Sequence, residues 1–173
     1  SPYGVCKTFC VQMGKVYRSG YGMHVSNGIL YNHESPRRGE NFVTQKIVRG
    51  AASIAQGKAN ILELGNLDIE RDWGYAPDYV QGMWMMLQQE HADDYILATG
   101  KTHMLSYFTQ LSFDYFGLDH QKHIRINPKF VRPNEPVQLC GDSSKAQNIL
   151  GWKPSVPFEQ IIKSMCEDAR KND

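Results

Sequence analysis

The 173-residue chain is predicted to be an α/β protein with parallel strand pairing, on three observations. Segments whose apolar residues recur at helical spacing alternate with short runs of consecutive apolar residues, and clusters of Gly, Pro, Asn and Asp mark the changes. Alternation of this kind builds strand-helix-strand units and a parallel sheet. With 41% hydrophobic and 21% charged residues, the chain has the composition to bury a core.

In order along the chain, Tyr3 to about Tyr17 reads as a helix, with Val5, Phe9, Cys10, Met13, Val16 and Tyr17 at near-helical spacing and Gly20 and Gly22 ending it. Met23 to Tyr31 reads as one strand buried on both faces, carrying Val25, Ile29 and Leu30. The polar stretch from Asn32 to Asn41, rich in turn formers, reads as a loop. Phe42 to about Gln56 follows as an amphipathic helix, Ile61 to Leu64 as a short strand, and Asp78 to Gln89 as a helix whose core-facing side is Val80, Met83, Trp84 and Leu87. Tyr95 to Thr99 reads as another buried strand, Leu105 to Phe116 as a helix and His123 to Ile126 as a strand. After a loop marked by Pro128, Pro133 and Pro136, two closing helices are expected over Ser143 to Leu150, capped by Ser143 or Ser144, and Phe158 to Ala169.

A formal charge of +1 gives no broad basic field, which argues against nucleic-acid partners. No uninterrupted apolar stretch reaches the roughly 18 residues of a membrane helix, and the start lacks a signal-type segment, so a soluble, cytoplasmic protein without a membrane partner is expected. Cys6, Cys10, Cys140 and Cys166 lack paired metal-ligand spacing and read as reduced packing residues. His120-Gln121-Lys122-His123 reads as a polar loop, and no bound metal is expected. No G-x-G-x-x-G turn occurs anywhere, so nothing here cradles a dinucleotide pyrophosphate in that way.

Tyr3 and Lys7 stand four apart, so their side chains leave one face of the first helix. An ammonium close to a phenol stabilises the phenolate, which suits a base that takes a proton from a sugar hydroxyl. By spacing alone, the pair is weak evidence and reads rather as an exposed tyrosine and a solvated lysine.

Ser1-Pro2-Tyr3-Gly4-Val5-Cys6-Lys7 resembles the start of the active-site helix of extended short-chain dehydrogenases. Asn32-His33-Glu34-Ser35-Pro36-Arg37-Arg38-Gly39 with Asn41-Phe42-Val43-Thr44 resembles the signature loop of GDP-mannose 4,6-dehydratases, and Gly65-Asn66-Leu67-Asp68 with Arg71-Asp72-Trp73-Gly74 resembles a second signature. The likeness runs on through Ala98-Thr99-Gly100, Phe130-Val131-Arg132-Pro133-Asn134-Glu135, Gly141-Asp142-Ser143-Ser144-Lys145-Ala146 and Leu150-Gly151-Trp152-Lys153-Pro154.

The resemblance implies the C-terminal part of an extended short-chain dehydrogenase Rossmann fold plus the smaller α/β substrate-binding domain. Residues 1–60 would belong to the first, and 61–173 mainly to the second with some return elements. It implies Tyr3 and Lys7 as catalytic residues, with His33 and Arg38 joining them against NADP, and Asn32, Val43, Lys46, Arg71, Arg132 and Glu135 lining the GDP-mannose pocket. The implied reaction oxidises C4, eliminates water across C5 and C6 and returns the hydride to C6. The family's Ser/Thr and Glu for the elimination, like the glycine-rich turn, have no counterpart here, so the chain alone is expected to be inactive. A homo-oligomer, dimer or tetramer, is implied, with the loop from Ser35 to Asn41 reaching toward a neighbour's cofactor. Without the resemblance, spacing favours reading Arg71 and Arg132 as loop ion pairs and Lys46 as a solvated helix face, and that loop could be a solubilising turn. Another sugar-nucleotide epimerase or dehydratase is the rival among enzymes; a non-catalytic nucleotide-sugar-binding module is the rival outside them.

Overall fold

A computed structural model describes residues 1–131 and 136–172. Helix α1, Pro2–Tyr21, starts where the Ser1 side chain accepts a hydrogen bond from the Gly4 amide, with Pro2 fitting the first turn, and it ends at Gly22 with φ 64°. It outlasts its expected end near Tyr17. Strand β1, Asn27–Leu30, pairs in parallel with β6, Asp94–Leu97, and Gly14 lets α1 come close to its start: a Cβ there would lie 2.4 Å from the Asn27 side-chain oxygen. Arg18 at the end of α1 is ion-paired to Asp93 and Asp94, which ties the helix to the same strand pair.

The single strand expected over Met23 to Tyr31 is shorter at its start and changes partner at Tyr31. Tyr31 still donates to the Leu97 carbonyl, and then β2, Asn32–Glu34, pairs in parallel with β5, Trp73–Tyr75. The expected loop therefore opens as strand. Burial on both faces is also corrected, since β1 is half-buried to exposed along its length and, among the described residues, β6 is its one strand neighbour.

Helix α2, Val43–Ala55, comes next, then β3, Leu62–Leu64, which pairs in parallel with β8, Ile124–Ile126. Strand β4, Glu70–Arg71, lies between β7, His103–Met104, antiparallel to it, and β9, Gln138–Leu139, parallel to it. These two-residue strands are too short for periodicity to disclose, and the sequence predicts none of them. The buried Asp72 carboxylate secures the join by accepting from the Thr99 amide and hydroxyl and from the Gly100 and Gly141 amides.

Helix α3, Ala76–Leu87, is where the expected inward face is wrong. Asp78, Tyr79, Gly82 and Met86 are buried, whereas Val80, Met83, Trp84 and Leu87 face solvent, Trp84 at 62% exposure. The reason is close approach: a Cβ on Gly82 would lie 2.5 Å from Leu97 of β6, so the helix seats its glycine face on the strand. The second buried cluster gathers here around Tyr79, Tyr95 and Trp152.

Helices α4, Leu105–Tyr115, and α6, Phe158–Asn172, pack with α2 around Ile47, Phe108, Ile161 and Met165, the main core. Between α4 and β8, the expected polar loop is a helical turn, α5, His120–His123. The first closing helix is instead a π-helical turn over Ala146–Leu150 without a side-chain cap, and the Asp142 side chain accepts from the Ser144 amide just before it. All four cysteines are free; only Cys166 is buried, and Cys6, Cys10 and Cys140 are exposed where packing was expected. Among the described residues no helix is long and apolar enough to cross a membrane.

Candidate functional site

A cavity of about 690 Å³ opens between the end of β2, the start of α2, β4 and the turn Pro128–Phe130. Alternation along β2 sends Asn32 and Glu34 to the cavity side and His33 to the other. The chain then turns, with the Arg38 amide donating to the Ser35 carbonyl, and this folds Arg38 back over the strand end. Its Nε lies 3.3 Å from Glu34 Oε2 and its guanidinium carbon 3.7 Å from the centre of the Phe42 ring. Glu34 is 1% exposed and also accepts from the Thr44 hydroxyl at 2.7 Å. Burial pushes its carboxyl up to about 7, against the pull of Arg38 and of the Thr44 hydroxyl.

Lys46, one turn into α2, donates to the Glu63 carbonyl at 2.8 Å and sits 4.1 Å from the centre of the Phe130 ring. Arg71 on β4 is buried, and its Nη1 donates to the carbonyls of Glu70 and Pro136 at 2.7 and 2.9 Å. Arg38, Lys46 and Arg71 thus line one cavity, each braced by carbonyl, carboxylate or ring, with Lys129 exposed at its edge. Such a wall suits a ligand with clustered negative charge and an aromatic or ribose portion.

Of the residues singled out in the sequence, Asn32, Arg38, Val43, Lys46 and Arg71 line this cavity. Tyr3, Lys7 and His33 do not. Tyr3 and Lys7 are exposed on the first two turns of α1, the Lys7 ammonium 5.4 Å from the centre of the Tyr3 ring, so the pair shares a face as its spacing requires. His33 stacks on Tyr79 with ring centres 5.0 Å apart, and its Nδ1 donates to the Tyr31 carbonyl at 2.8 Å. Arg132 and Glu135 lie outside the described residues. Sequence reasoning missed Phe42, Phe130 and Trp73 and passed over Glu34 as part of a loop, although an acidic residue next to an apolar strand and two arginines was a usable signal.

Residues 1–165 match the family model described as GDP-mannose 4,6 dehydratase. The chain is 49% identical over 168 residues to GDP-mannose 4,6 dehydratase 1 of Arabidopsis thaliana, covering 97% of this chain and 46% of that protein. It is 40% identical over 182 residues to the Homo sapiens GDP-mannose 4,6 dehydratase, covering 95% and 49%. The chain therefore spans about half the length of the curated relatives it matches. Among solved structures, RMD from Pseudomonas aeruginosa complexed with NADPH superposes with a TM-score of 0.82 at 22% identity, over 96% of this chain and 53% of that one. The dTDP-glucose 4,6-dehydratase DesIV from Streptomyces venezuelae, with NAD and TYD bound, does so with a TM-score of 0.85 at 21% identity, over 99% and 52%. These two likenesses show the fold.

Proposed function

The chain belongs to the GDP-mannose 4,6-dehydratase family, and from that premise we propose that the whole protein converts GDP-mannose to GDP-4-keto-6-deoxymannose with NADP as a recycled hydride carrier. The observation that carries this reading is the cavity wall on which Arg38, Lys46 and Arg71 stand together beside Asn32 and Val43. Lys46 and Arg71 would take the diphosphate, and Asn32 and Val43 the sugar and nucleoside, with Arg132 and Glu135 added from the adjoining segment. Supporting this reading over a solvated face, Lys46 is held by the Glu63 carbonyl and the Phe130 ring, and Arg71 is held against the carbonyls of Glu70 and Pro136 beside it.

The residues fit NADP: Arg38 is oriented by Glu34 and Phe42 for a phosphate, and Lys7 lies beside Tyr3 for a ribose. His33 completes this set from the opposite face of β2. When bound, NADP supplies the hydride acceptor for C4 and the donor for C6. Tyr3 takes the sugar hydroxyl proton at its phenolic oxygen, and Lys7 places a cation beside the charge that forms there. Arg71 and Lys46 fix the diphosphate, which sets the sugar's distance from Tyr3.

The same reading includes a cytoplasmic setting and a homo-oligomer. Exposed Val5, Phe9, Val16 and Tyr17 on α1 support the second, being apolar area that an assembled protein would cover. It also assigns residues 1–60 to the dinucleotide and 61–173 mainly to the nucleotide sugar. Helix α2 straddles that division by sharing its core with α4 and α6.

Isothermal titration of the whole protein with GDP, UDP and dTDP tests the reading. GDP should bind about tenfold tighter or better, a gap of roughly 1.4 kcal/mol. Equal affinity for all three would remove the guanine assignment and favour another member of the sugar-nucleotide epimerases and dehydratases.

A further inference from the structure

Glu34 is a carboxylate buried at the floor of the cavity, a position where an isolated charge is costly. Its Oε2 has two neighbours, the Thr44 hydroxyl and Arg38 Nε, while Oε1 is buried and has no hydrogen-bond partner. Of the other charged residues lining the cavity, Lys46 is engaged with the Glu63 carbonyl, Arg71 with the carbonyls of Glu70 and Pro136, and Glu40 with Arg49 at 3.5 Å, while Lys129 is exposed on the turn Pro128–Phe130. From α3 behind the strand, the buried phenol of Tyr79 faces the site, and burial holds it above the usual tyrosine range, so it stays neutral. Arg38 is therefore the cation that answers to Glu34. Their closest approach is through Nε, the inner nitrogen, an ion-pair contact at 3.3 Å without a hydrogen bond, which leaves the outer edge that pairs with phosphate unconsumed. Phe42 closes one face of the guanidinium plane.

The geometry points to Glu34 as a positioning residue: its carboxylate fixes the Arg38 guanidinium at the cavity mouth, so that phosphate affinity through Arg38 depends on the charge of Glu34. This rests on the reading that Arg38 meets the cofactor's phosphate. Burial places the Glu34 titration near 7, within the range where proteins work, so the ionised and neutral forms are both accessible to a binding experiment. The ionised form orients Arg38. The neutral form keeps at most the Thr44 contact and releases the guanidinium.

Fluorescence titration with NADPH, on the whole protein from about pH 6 to 8.5 at fixed ionic strength, tests the proposal. Native protein, Glu34→Gln, Arg38→Ala and the double variant share whatever titration belongs to the nucleotide phosphate, so differences between them report the pair. Native affinity should rise with pH more steeply than that of Arg38→Ala. Glu34→Gln should bind about three- to tenfold more weakly at pH 8 and follow the Arg38→Ala profile. The double variant should be no weaker than Arg38→Ala alone, because the carboxylate acts through that arginine. Glu34→Gln binding as tightly as native or tighter, or additive losses in the double variant, would overturn the positioning role while leaving the Arg38 assignment standing. Unchanged NADPH affinity in Arg38→Ala would instead overturn the assignment of Arg38, and the role of Glu34 with it. Should Glu34→Gln not fold, the native and Arg38→Ala profiles decide the matter: parallel slopes overturn the proposal, and a native excess at high pH upholds it.

Discussion

At the scale of single residues, Glu34 links the site to stability. Burial raises its carboxyl from 4.5 to about 7, so between those values the folded state binds more protons than the unfolded one. Its contribution must therefore make the protein less stable as pH rises across that interval, reaching a full penalty on the order of 3 kcal/mol above it. Glu34→Gln carries no such slope. Denaturant melts at several pH values should show the stability of the variant relative to native rising from about pH 5 to 7 and then levelling, and a constant difference would mean that Glu34 titrates as an ordinary carboxylate. The cations of the site were legible in the sequence because the signature strings contain Arg38 and Arg71 and the resemblance adds Lys46. What Glu34 does was not, because its burial comes from the pairing of β2 with β5, a contact between distant segments that a local polar string cannot disclose. The same holds for Phe42 and Phe130, whose rings gain meaning only from the cations they lie against.

At the scale of elements, the cavity wall depends on backbone approaching backbone. A Cβ on Gly65 would lie 2.5 Å from the Phe130 carbonyl oxygen, so Gly65→Ala must displace the turn Pro128–Phe130 and with it the ring that braces Lys46. Titration with GDP should show a loss of about tenfold or more, on the scale of one charged contact. Gly20→Ala, where nothing lies within 4 Å, should leave GDP affinity unchanged. Equal behaviour of the two variants would show that the turn does not shape the site. Helices α2, α4 and α6 could be read from periodicity, since each buries an apolar stripe, and strands β3, β6 and β8 from short apolar runs, although β8 leaves Ile126 exposed. Helix α3 could not be oriented that way. Its apolar stripe points outward because the small side of the helix, at Gly82, is what fits against Leu97. The π-helical turn at Ala146–Leu150 and the partner change at Tyr31 are likewise set by where the chain must go next, not by the local pattern.

At the scale of the whole molecule, the main core stands behind the cavity through Leu64, Ile69, Trp73 and Leu105, and the catalytic candidates Tyr3 and Lys7 do not line that cavity but lie on an exposed helix. Under the proposed function, the residues of the cavity hold the nucleotide sugar and Tyr3 and Lys7 contribute the proton-transfer pair, and the sequence carries no G-x-G-x-x-G turn. The central claim is the dehydration of GDP-mannose by the whole protein. It is tested most directly by incubating that protein with GDP-mannose and NADP and weighing the nucleotide sugar by mass spectrometry. The account predicts a product lighter by one water with no net accumulation of NADPH, and no change in UDP-glucose or dTDP-glucose. Recovery of GDP-mannose at unchanged mass, whether intact or epimerised, would contradict it.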